Sequence, residues 1–97
     1  MSAQQNRAMR ASETLSEYLL DQGIGLFVPV FDATQSGYLF VMYPVGVENA
    51  QFGNVPDVYE TVKVWLGGSI DVHDTSALRT LRIPLALILG KRKAVRS

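Results

Sequence analysis

The stretch that most limits how this chain can fold is Gly25–Tyr43, which reads GLFVPVFD-ATQSG-YLFVMY. Two runs rich in β-branched and aromatic residues flank five turn-formers, and that pattern predicts a β-hairpin. Pro29 has no N–H to donate to a ladder, so the first strand, Gly25–Asp32, belongs at a sheet edge or carries a bulge. The return strand is Tyr38–Tyr43.

Upstream of the hairpin, Ala8, Ala11, Leu15, Tyr18 and Leu19 recur at three- and four-residue spacing and make one apolar stripe. That spacing predicts a helix within Ala3–Gln22, firm from about Ser12. Both Ser2 with Gln5 and Thr14 with Glu17 match a capping box, so two starts compete. Gly23 is the natural stop, because the chain leaves a helix most easily through a left-handed residue.

Downstream, Pro44–Asp57 (PVGVENAQFGNVPD) reads as a long loop, and loops of this length in a small domain are often binding loops. Val58–Leu66 alternates, with Val58, Glu60, Val62, Val64 and Leu66 on one side and Tyr59, Thr61, Lys63 and Trp65 on the other, which predicts a strand. Gly67-Gly68 then serves as a two-residue hairpin turn into a return strand at Ser69–His73. Thr75–Arg82 fits a short helix and a strand equally well. Ile83–Leu89 (IPLALIL) reads as a buried last strand bounded by Pro84 and Gly90, followed by a basic tail, 91–97. The expected architecture is α+β: an N-terminal helix packed on a four- to five-stranded, mainly antiparallel sheet or small barrel.

A chain of 97 residues makes one domain, with a polar N-terminal segment, 1–11, and the basic tail at its ends. It contains no cysteine, which excludes disulfides, thiolate metal sites and a Cys nucleophile. The core must then stabilise the fold alone or with help from oligomerisation. No apolar signal core stands near Met1, and the longest apolar run is far short of the roughly 20 residues that span a bilayer. The expected location is the cytoplasm or a particle assembled there, with no membrane partner.

Net charge is zero, but it is segregated. Ala11–Ala77 holds all nine acids against a single base, Lys63, while Leu78–Ser97 holds six bases and no acid. Arg79, Arg82, Lys91, Arg92, Lys93 and Arg96 therefore form the candidate contact to a polyanion or to the acidic body of a neighbouring subunit.

Chemistry-bearing motifs are sparse. Asp71-Val72-His73-Asp74 puts the lone histidine between carboxylates, but a zinc or triad site needs partners the chain lacks, and a polar hairpin end accounts for it. Gly23-Ile24-Gly25 and Gly67-Gly68-Ser69 are turns rather than phosphate loops. No catalytic, metal or cofactor residues are expected. The candidate partner-binding residues are Phe52 and Asn54 in the loop, with Tyr59, Trp65 and Pro29 on a sheet face and edge.

No motif is specific enough to name a family. The leading expectation is a non-enzymatic structural or interaction protein that self-assembles or docks into a larger complex, with viral particles and phage tails as one setting. The alternatives are a nucleic-acid-binding accessory protein that uses the basic C-terminus and a small inhibitor of another protein.

Overall fold

The computed structural model describes residues 3–45, 57–75 and 77–96, with 92–96 as backbone alone. The fold is α+β, with an open four-stranded antiparallel sheet. In chain order the elements are α1 (Ala3–Asp21), β1 (Val28–Val30), β2 (Tyr38–Pro44), α2 (Val58–Leu66), β3 (Asp71–Asp74), β4 (Leu78–Pro84) and α3 (Leu85–Arg96). The sheet order is β1-β2-β4-β3, so β4, late in the chain, is inserted beside β2 at the centre.

Helix α1 buries the expected stripe, Ala8, Ala11, Leu15 and Leu19, and is continuous from Ala3, so residues 3–11 of the polar N-terminal segment belong to it. Its end is a Schellman motif. Gly23 is left-handed at φ 85°, its N–H donates to the Leu20 carbonyl, and the Ile24 N–H reaches back to Leu19. The hairpin β1–β2 is present with Pro29 on the edge strand opposite Val41. Its turn is a 3₁₀ segment, Ala33–Gln35, capped by Asp32 accepting from the Thr34 N–H.

Val58–Leu66 is a helix, not a strand. The Asp57 side chain accepts from the Glu60 N–H at 3.0 Å, and Gly67, left-handed at φ 77°, closes the other end. An Asp-x-x-Glu start and a glycine stop supply what nine residues need to form a helix in a packed setting. Val58 and Val62, four apart, are its buried residues, and both periods fit that pair. Glu60, awkward on the apolar side of a strand, faces solvent on the helix. Gly67-Gly68 is therefore a helix cap rather than a hairpin turn.

The consequence is a different partner for the next strand. β3 pairs with β4, Val72 opposite Leu81, through a turn in which the Thr75 N–H donates to the Leu78 carbonyl at 2.8 Å. Of the two readings of Thr75–Arg82, the strand is the one formed. Ile83–Leu89 is not a last strand: β4 ends at Pro84 and α3 begins at Leu85, whose N–H donates to the Gly37 carbonyl at 2.9 Å. The apolar run carries two periods in succession. Leu81 and Ile83 point inward at strand spacing, and Leu85 and Ile88 do so at helical spacing. Gly90 lies inside α3, so the basic residues from Lys91 onward continue a helix.

The three helices among the described residues lie on the sheet face formed by Leu39, Val41, Tyr43, Leu81 and Ile83, which are all buried. With the α1 stripe, Val62, Leu85 and Ile88 they make one core. Tyr18 of α1 and Trp65 of α2 stack at 4.3 Å between ring centroids, 6° from parallel, and join two helices over that face.

Candidate functional site

Side chains alternate along a strand, so the residues between the buried ones face away from the helices. On β2 these are Tyr38, Phe40 and Met42, and on β1 they are Val28 and Val30. The register builds two rows across the sheet. One is Val28, Met42, Thr80 and His73; the other is Val30, Phe40, Arg82 and Asp71. Leu78, opposite Pro44, extends the apolar part. Val28 is 58% exposed, Val30 38% and Leu78 37%, and the β2 residues are half-buried. No described helix covers this face.

The polar end of the face neutralises itself. Arg82 holds Asp71 through Nε at 3.1 Å and through a second, shorter contact from Nη2, and Nη1 donates to Gln35 at 3.3 Å. The guanidinium also lies 4.4 Å from the centroid of the Tyr38 ring. One side of the sheet thus presents apolar residues on β1 and β2, beside a closed ion pair on β4 and β3.

Arg79, on the helix-side face, is engaged as well. It grips Asp74 with two bonds, 2.7 and 3.1 Å, and lies 3.9 Å from Asp57 at the start of α2. Tyr43 accepts from the Tyr59 N–H at 3.2 Å, and burial pushes its phenol above the ordinary 10.0, although Arg79 beside it pulls the other way. This group fastens α2 to the sheet. The bonds from Arg79 hold the Asp74 carboxyl below its ordinary 3.8. A depressed acid stabilises the fold above that value and loses the contribution as pH falls through its folded-state value. Asp74→Asn is therefore expected to lower Tm near neutrality and to converge on the unmodified chain below pH 3.8, as followed by circular dichroism across an acid series. A constant offset at every pH would show that the carboxylate charge is not involved.

The residues singled out from sequence scatter. Pro29 lines an apolar groove of about 550 Å³ between α1 and β1, with Met9, Phe31 and Leu39. Tyr59 and Trp65 are on a helix, not a strand, because α2 replaced the alternating reading. Trp65 is committed to Tyr18, and Tyr59 lies 5.6 Å from the Lys63 ammonium. Phe52 and Asn54 lie outside the described residues. Arg79 and Arg82 are separated onto opposite faces of β4. Lys91 is half-buried on α3, and Arg92, Lys93 and Arg96 follow on the same helical backbone, with side chains outside the described part.

Asp71 and Asp74 diverge to opposite faces, each with its own arginine, and among the described residues no three His, Asp or Glu side chains gather as a metal site. Among those residues, too, no helix is long and apolar enough to cross a membrane. Sequence reasoning passed over Val28, Val30, Tyr38, Phe40, Met42 and Leu78. The signal was present in YLFVMY, whose two alternating sets are equally apolar, as in a strand meant to be covered on both sides. Compared with known proteins, the chain matches no family, no curated protein and no solved structure.

Proposed function

We propose that this chain is a non-enzymatic interaction protein that docks into a larger assembly through the outer face of its sheet. The observation that carries this reading is the pair of cross-sheet rows, in which Val28, Val30, Phe40 and Met42 stand where a solvated antiparallel sheet would place polar residues. The charges of that face are already matched, so apolar contact supplies its binding energy and electrostatics contributes little. A particle assembled in the cytoplasm is the setting this reading favours. Binding of a polyanion through the basic residues has less behind it, since Arg79 and Arg82 each hold a carboxylate.

Photocrosslinking tests the reading. A benzophenone amino acid at Val28 is expected to give discrete adducts in cells that make the chain, and the same group at Glu13, exposed on α1, is expected to give none. Absence of adducts from Val28, or equal adducts from both positions, overturns it.

A further inference from the structure

We infer that α2 is a reversible latch: it leaves the sheet as one unit, while α1, α3 and the strands stay folded, and it closes again. It acts on the helix side of the sheet, so it stands apart from the docking reading of the outer face.

The first ground is anchorage, which differs among the three described helices. α1 seats Ala8, Ala11, Leu15 and Leu19 in the core. α3 seats Leu85 and Ile88, both wholly buried, and the Leu85 N–H is tied to the Gly37 carbonyl at 2.9 Å. α2 seats only Val58 and Val62. Its other ties are peripheral. Trp65 stacks on Tyr18, the Tyr59 N–H donates to the Tyr43 hydroxyl at 3.2 Å, and Asp57 stands 3.9 Å from Arg79. Arg79 gives its two shorter bonds to Asp74 on β3, so that pair survives without α2. Segments with few buried apolar side chains are the ones that open below the free energy of global unfolding.

The second ground is separability. At the start of α2 the Asp57 side chain accepts from the Glu60 N–H, and at its end the N–H groups of Gly67 and Gly68 both return to the Lys63 carbonyl, at 2.9 and 3.3 Å. The caps therefore lie within the segment and bind it to no other element. Gly67 and Gly68 have open space around them, so the chain can swing there without a clash. Nine residues are too few to persist as a helix in water, so undocking and unwinding happen together, which makes α2 one cooperative unit. Opening uncovers the Tyr18 ring and the Tyr43 phenol and withdraws Asp57 from Arg79, a surface the closed form does not present. The closed form predominates, and the Trp65–Tyr18 stack belongs to it.

The chain contains no cysteine, so a single introduced thiol reads the opening. Val62→Cys places one on the buried side of α2 and Val41→Cys places one on β2, at positions that are both wholly buried. Cysteine suits such sites as a small apolar residue. With the whole chain under native conditions, a thiol reagent is expected to label Val62→Cys at least about tenfold faster than Val41→Cys. The Val62→Cys rate is expected to rise shallowly with urea, because opening α2 exposes little surface, and the Val41→Cys rate steeply. Equal rates with equal urea dependence overturn the latch, since α2 then opens only when the whole domain unfolds. Should either variant fail to fold, hydrogen exchange of the unmodified chain decides. Hydrogen-bonded α2 amides at least about tenfold less protected than those of β2 and β4 support the latch, and one shared protection and urea slope overturns it.

Discussion

Replacing Leu81 with alanine is expected to lower the free energy of unfolding by about 3 kcal/mol, within the range of roughly 2–5 kcal/mol for emptying a core leucine site. Leu81 is wholly buried at the middle of β4, with Val41 on one side and Val72 on the other. It points into the space closed by the α1 stripe and α3, and neighbours pinned by sheet hydrogen bonds can collapse only a little into the vacancy. For a domain this size the loss corresponds to a Tm drop of roughly 12–24 °C. The single tryptophan reports it, because Trp65 is stacked on Tyr18 only while α1 and α2 are docked. Leu78, on the same strand but the outer face, is the control. Leu78→Ala is expected to cost far less in the separated chain. Equal losses at the two positions would mean that the helices do not select one face of the sheet.

Val64→Pro is expected to destabilise by about 3 kcal/mol, and Val64→Ala to stabilise by roughly 0.5 kcal/mol. Val64 is 76% exposed, so neither change alters the core, and both report the backbone alone. In α2 a proline at this place removes the bond from residue 64 to the Glu60 carbonyl and presses its ring against that carbonyl. Alanine relieves the χ1 restriction that valine suffers on a helix. On a strand the sign for alanine reverses, since β-branched residues are favoured there. Denaturant unfolding of the two variants beside the unmodified chain decides it, and a destabilising Val64→Ala would refute the helix.

The parts of the fold that could be read from sequence are those in which one period dominates a long segment. The α1 stripe, Ala8 to Leu19, repeats over about three turns, and the helix ends at Gly23, a left-handed position that suits glycine. Pro29 demotes its strand to an edge through a missing donor, whatever surrounds it. Val58–Leu66 failed because two valines four apart satisfy both periods, and nine residues are too few for the rest to arbitrate. The local caps, Asp57 with Glu60 and then Gly67, held the answer, and β-branched content masked them. Ile83–Leu89 failed differently: one apolar run served two elements, and nothing in its hydrophobicity marks Pro84 as the joint.

For the candidate site residues, the tertiary structure sets which neighbours each one meets. Arg79 and Arg82 are on one strand, three residues apart, and therefore on opposite faces, so the basic cluster suggested by sequence is divided between two carboxylates. Trp65, expected on a sheet face, is a partly buried helix residue stacked on Tyr18.

By itself the sequence determined the elements governed by local chemistry: the first helix, its glycine stop, the hairpin with its proline edge, and a core made without disulfides. Only the tertiary structure decided that β4 enters between β2 and β3, and that the three described helices gather on one side. Strand order depends on contacts between residues far apart in the chain, and no local propensity encodes them. The same choice left Val28, Val30, Phe40 and Met42 uncovered, because a strand apolar on both sides does not state which side its own chain will cover.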